Sequence, residues 1–187
     1  MKRISFLAIV LLACAFPTFA QDATKKAAAV KPADPEMKVV LESWNEVGNK
    51  LVAMAEDFPE DKYDFKPTAA QRSFAEQLLH AAGSMYYFTN AAMGKKLPAA
   101  EDPKREQYKS KADIVAFVKK AVADGAAAIR SQGEKGLMTE VVYTPDQKAR
   151  LLDIAYGLIE HSGEHYGQLV VYYRLSGLVP PESRPKK

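Results

Sequence analysis

Apolar residues recur along this chain at three- and four-residue steps, and that rhythm limits what it can fold into. Val40, Trp44, Val47, Leu51 and Met54 follow one another in this way. An α-helix turns every 3.6 residues, so the spacing lays one apolar stripe along one face. A strand would need alternation by two. The rhythm returns in Leu78, Leu79, Ala82, Tyr86 and Met93, then in Ile114, Phe117, Val118, Ala121, Val122 and Ile129. A last set is Ile154, Leu158, Leu169 and Tyr172. Four stripes that must all be buried predict an all-α four-helix bundle.

Capping signals set the boundaries. Asp34 reads as an N-cap with Pro35 at the first helical position, and Pro59 ends that helix. Ser73 and Glu76 form a capping box, with Gly94 as the C-terminal stop. Ser110 and Asp113 are a weaker version of the same pair, and Gly133 and Gly136 break the third helix. Thr144, Pro145 and Gln147 predict the start of the fourth, which would run to Ser176 before Gly177 and Pro180-Pro181. Such a helix would be roughly 45–50 Å long. Residues 59–72 and 95–109 read as loops, the first packed down by Tyr63, Phe65 and Pro67. Thr139 to Tyr143 reads as briefly extended, and 180–187 as a disordered tail.

The bundle is therefore expected over 34–179. Before it, residues 1–20 have the form of a signal peptide. Lys2 and Arg3 precede an apolar run from Ile4 to Ala13, too short for a transmembrane span, and Ala20 offers a cleavage point. A lipoprotein reading through Cys14 fits less well, because bulky Leu12 precedes it and apolar residues continue past it. Either processing predicts an exported chain, periplasmic or secreted. Residues 21–33 are rich in Ala and Lys, without an apolar face, and read as a flexible leader. Cys14 is the only cysteine, which leaves no disulfide framework and no thiolate zinc motif. The net charge is +3, or +1 without Lys2 and Arg3, and gives no electrostatic ground for nucleic-acid binding.

The chemistry concentrates in three histidines. His161 and His165 are four apart in Glu160-His161-Ser162-Gly163-Glu164-His165-Tyr166-Gly167-Gln168, so both rings fall on one helical face. Projected at 100° per residue, that face is the apolar one. His80 lies inside the second helix. An unpaired buried imidazole costs about 1–3 kcal/mol, and a shared metal ion would satisfy all three. The spacing leaves two readings open: metal ligands, or hydrogen-bonded core histidines. Imidazole suits zinc, nickel, copper or iron. Glu76, one turn before His80, is a candidate to orient its ring, though its capping role competes. Gln168 and Tyr172 share the face of the histidine pair and are candidate substrate contacts. Trp44, Tyr86 and Tyr87 read as core, and Gly157, Gly163 and Gly167 as points of close helix approach. No phosphate loop, serine elbow or cysteine nucleophile is present, so no catalytic residue is assigned.

Two separated stretches resemble the DinB-like (DinB/YfiT-like) metalloenzymes. Ser73-Phe74-Ala75-Glu76-Gln77-Leu78-Leu79-His80 is similar to that family's second-helix motif. Glu160 to Gln168, followed by Tyr173-Arg174-Leu175-Ser176-Gly177-Leu178-Val179-Pro180-Pro181, is similar to its fourth-helix signature. Tyr63-Asp64-Phe65-Lys66-Pro67 and Gln71-Arg72 add to the likeness. The resemblance implies a four-helix bundle with an uncommon connection order. It also implies a divalent metal, zinc or nickel, on His80, His161 and His165. Family members are often dimers, so a homodimer is an implied partner. Some relatives are thiol S-transferases, a role that fits an exported chain less well than a metal-dependent hydrolase of a small molecule. Two rival expectations stand beside an enzyme. One is a non-catalytic bundle, metal-clipped or metal-free, that acts as a binding or stress-associated module. The other is an interaction module presenting the loops at 95–109 and 133–143.

Overall fold

The computed structural model describes residues 36–98, 102–144 and 146–185. The expected signal peptide, the leader and the cap at Asp34 and Pro35 lie outside these residues. Four helices form as the periodicity predicts: α1 (Glu36–Asp57), α2 (Phe74–Ala92), α3 (Lys111–Leu137) and α4 (Leu151–Leu175). Each of α1 and α2 packs against both α3 and α4, whereas α3 and α4 barely touch. The order round the bundle is therefore α1, α3, α2, α4, with chain neighbours α1 and α2 on a diagonal.

Two capping boxes are complete. Ser73 accepts from the Glu76 amide and Glu76 accepts from the Ser73 amide. Ser110 and Asp113 repeat this at α3. Past the end of α2, Gly94 takes φ 64°, which an L side chain adopts only under strain. Gly133 behaves differently from expectation. It takes φ 62° and kinks α3, which then resumes and ends at Leu137.

Packing along α1 and α3 is tight because glycines permit it. A Cβ on Gly125 would stand 2.0 Å from Trp44 Cζ2, and one on Gly48 2.5 Å from a Val122 methyl. The fully buried Trp44 donates its indole N–H to the Val122 carbonyl at 3.0 Å and lies against Phe88. At the far end Phe58 stacks on Phe74 with centroids 3.8 Å apart. Tyr173 donates to the Met54 carbonyl beside them. Tyr63 is buried, with its hydroxyl on the Ala55 carbonyl, and Phe65 meets Tyr172, so the 59–72 loop is indeed packed down.

Two expectations are corrected. The fourth helix starts at Leu151 rather than Thr144, and its 25 residues span roughly 37 Å. Before it lies a hairpin of β1 (Glu140–Thr144) and β2 (Gln147–Arg150), paired antiparallel. Between Asp146 and Arg150 only Ala149 is apolar, so a helix there would have had no face to bury. Alternation at Val141 and Tyr143 suits a strand, and both pack on the core with Ala149. The Leu151 amide then donates to the Thr139 carbonyl, and Arg150 pairs with Asp153 in the first turn. The expected tail is ordered as far as residue 185. Pro181–Ser183 form a 3-10 turn, and Arg184 grips both oxygens of Asp57.

Candidate metal centre

His80 comes from α2, and His161 and His165 come from consecutive turns of α4. Since α2 and α4 are packed neighbours, the three rings meet. Ring centroids lie 5.2 Å (His80–His161), 4.6 Å (His80–His165) and 4.3 Å (His161–His165) apart. One ligand nitrogen from each falls within 4.8 Å of the others. His161 Nε2 and His165 Nε2 are 3.1 Å apart. Two nitrogens on one tetrahedral zinc ion, each bound at about 2.0–2.1 Å, stand roughly 3.3 Å apart. The donor set therefore fits a divalent ion: three convergent imidazoles, with no fourth His, Cys, Asp or Glu in the cluster among the described residues.

The outward nitrogens of His80 and His165 have partners of their own. His80 Nδ1 meets Asp102 Oδ1 at 2.5 Å, which leaves its Nε2 for the cluster. Arg72 holds the other Asp102 oxygen with Nε at 3.1 Å and Nη2 at 2.9 Å. His165 Nδ1 lies 2.5 Å from Gln77 Nε2, which also donates to Gln168 Oε1. On the third ring it is the cluster-facing nitrogen that has a second neighbour: His161 Nε2 lies 3.2 Å from Ser84 Oγ.

Electrostatics keeps the α4 pair neutral. Burial, then the neighbouring His161, His80 and Arg72 charges, push His165 down to about 4. Burial first, and His80 second, also lower His161. Neutral imidazole is the form that binds metal. Burial of Asp102 works against its charge, but the His80 and Arg72 contacts outweigh it and hold the carboxyl below its usual range.

Two cavities flank the cluster. One, of about 440 Å³, lies between the hairpin and α4 and is lined by His161, Glu160, Gly157, Leu158, Tyr143 and Gln147. The other, of about 330 Å³, is lined by His80, Asp102, Tyr86, Asn90 and Phe117. Ser84 and Tyr87 border both.

Several candidates from the sequence have other duties. Glu76 caps α2 and pairs with Lys66 at 3.2 Å, and the carboxylate on His80 is Asp102 instead. Tyr172 is buried and donates to the Arg72 carbonyl at 2.5 Å. Gln168 is bonded to Gln77, and neither Gln168 nor Tyr172 lines the two cavities. Tyr86 and Tyr87, expected in the core, pack against it half-buried and also line cavity walls, whereas Trp44 is fully buried as expected. Gly157, Gly163 and Gly167 have nothing within 4 Å of an added Cβ, so close helix approach does not explain them. Asp102 and Gln77 were missed because neither has a spacing signal. Asp102 is 22 residues from His80 along the chain, in a loop.

Fold and site together define a four-helix bundle with three converging histidines beside open cavities. The chain belongs to the DinB superfamily, whose family model matches residues 23–169. Among solved structures, the DinB-like protein YjoA of Bacillus subtilis is 19% identical, with a TM-score of 0.61, over 79% of this chain and 99% of its own. A DinB-like protein of Bacillus cereus is 17% identical, with a TM-score of 0.64, over 77% of this chain and 95% of its own. At such identities the likeness concerns the fold. A search of curated proteins finds no match.

Proposed function

We propose that His80, His161 and His165 hold one divalent metal ion, zinc or nickel, and that the protein is an exported metal-dependent hydrolase or transferase acting on a small molecule. The convergence of three imidazole nitrogens within 4.8 Å, with no fourth ligand among the described residues, is the observation that carries this reading. Three ligands are the pattern of sites that keep a position open, whereas structural zinc sites are closed by four. A bound divalent ion would supply Lewis-acid polarisation of a substrate oxygen, or a water acidified toward pKa ~7.

The chain's own residues do the rest. Asp102 and Gln77 fix the rings of His80 and His165 from outside the cluster. Burial keeps His161 and His165 unprotonated. The cavity at His161 gives a small molecule access to the site, and Tyr87, Tyr143 and Leu158 offer its apolar wall. A cavity reaching the histidines favours an enzyme over a closed structural clip. Export rests on the form of residues 1–20, and hydrolysis suits an exported chain because water is its only co-substrate. Among the described residues no helix is long and apolar enough to cross a membrane. A homodimer remains part of the proposal by family resemblance alone.

The test is elemental analysis of the protein, purified without affinity tag or chelator, beside a His161→Ala variant. About one divalent ion per chain, lost in the variant, is the expected result. Absence of metal from both, even after zinc and nickel are added, would refute the assignment and leave a metal-free binding module.

A further inference from the structure

His80 reaches the cluster from α2, but its orientation is set from outside the helices. A neutral imidazole carries one proton, and the hydrogen bond made by one nitrogen decides which nitrogen faces inward. An ionised carboxylate can only accept. Asp102 Oδ1, 2.5 Å from His80 Nδ1, therefore requires the proton on Nδ1 and turns the Nε2 lone pair toward His161 and His165. Arg72 occupies Oδ2 with two nitrogens, at 3.1 and 2.9 Å, and so leaves Oδ1 to His80.

The neighbour of Asp102 is seated with equal care. Pro103 lies on α2 at Gly83, three residues after His80, where an added Cβ would stand 2.9 Å from Cδ and 3.0 Å from Cγ of the proline ring. That ring is tied to its own backbone and cannot swing aside like the end of a long side chain. A side chain at 83 must therefore move Pro103, and Asp102 with it.

We propose that Asp102, anchored by Arg72 and by the seating of Pro103 on Gly83, is the positioning residue that sets the tautomer of His80 and thereby the affinity of the metal centre. The inference rests on the metal reading above. It extends the site to four residues, Asp102, Arg72, Pro103 and Gly83, none of which is a ligand of the ion in that reading. The rival role for Asp102 is that of an ordinary surface ion pair with Arg72, since the two side chains are 39% and 43% exposed. Such pairs contribute little to stability. Loss of affinity without matching loss of stability separates the two roles.

The experiment compares the full chain with Asp102→Ala, Asp102→Asn and Gly83→Ala. Zinc affinity is measured by chelator competition, the His80 tautomer by nitrogen-15 NMR of the metal-free protein, and stability by thermal melting. Asp102→Ala should weaken zinc binding by roughly 10- to 100-fold and move His80 from the Nδ1–H to the Nε2–H form, with little change in melting. Asp102→Asn retains an accepting oxygen without the charge, so it should keep the tautomer and lose only several-fold in affinity. It also serves if the alanine variant does not fold. Gly83→Ala should weaken zinc several-fold with little change in melting, because the better helix former offsets the displacement of Pro103. Zinc affinity within twofold of wild type in Asp102→Ala, or an unchanged Nδ1–H tautomer, would overturn the proposal. A wild-type chain that binds neither zinc nor nickel would instead refute the metal reading, and the tautomer would still decide the role of Asp102.

Discussion

At His165 the two ring nitrogens meet different demands. Gln77 presents its amide N–H to Nδ1, so in the metal-free protein that nitrogen accepts and Nε2 carries the proton. A metal on Nε2 would need the reverse, with Nδ1 donating. Gln77 can comply by turning its amide over, and Gln168, bonded to it, must turn as well. A carboxylate at this position would need no such turn. We predict that Gln77→Glu binds zinc several-fold more tightly than wild type and Gln77→Met roughly 10-fold more weakly, both read by chelator competition. Equal affinities in the three proteins would show that the amide has no part in orienting the ring. The histidines themselves were legible in the sequence because the chain has only three and two of them share a helical face. Their partners were not. Gln77 reaches His165 only through the packing of α2 on α4, and Asp102 reaches His80 only through the folding of a loop.

Among the elements, periodicity carried the four helices, and the capping boxes at Ser73 and Ser110 carried two of their starts. The start of α4 was misread because Thr144, Pro145 and Gln147 satisfy a local rule that the next residues cannot support. A capping box stabilises a helix only if an apolar face follows it. The hairpin that forms instead has a functional consequence, since Tyr143, Gln147 and Ala149 wall the cavity at His161. Gly157 faces the same cavity, with nothing within 4 Å of an added Cβ. Leucine there should raise helix stability by about 1 kcal/mol, or ~2–4 °C in melting temperature. It should also fill the cavity, leaving metal content unchanged while small-molecule binding or turnover is lost. Full activity of Gly157→Leu would place the substrate elsewhere. Gly125 gives the opposite case. Its Cβ would penetrate Trp44, so Gly125→Ala should destabilise by about 1–3 kcal/mol despite the better helix former, as denaturant titration would show.

For the whole molecule, the sequence pattern specified a bundle but not the order of its helices. A stripe says which face of a helix is buried, not which neighbour covers it, and the diagonal placement of α1 and α2 is visible only in the packing. That placement puts α2 beside α4 and brings His80 to the pair four residues apart, so the site is a product of the topology. It also ties the site to the stability of the whole domain through protons. His165 is buried, and its pKa lies near 4 in the folded chain against an ordinary 6.5. Below pH 6.5 the unfolded chain takes up a proton that the folded chain refuses until about pH 4. Stability must therefore fall as the pH drops through that window, and the lowered pKa of His161 adds in the same direction. Above the window both states carry neutral imidazole, and the effect vanishes. Denaturant midpoints of the metal-free protein should decline between pH 7.5 and 4.5, with proton uptake on unfolding that approaches about one per chain for His165 near pH 5. His165→Gln keeps a polar group in place but does not titrate, so its midpoints should decline less steeply over the same range. If the variant follows the wild-type slope, the burden lies with other groups, and His165 is charged as readily in the fold as outside it.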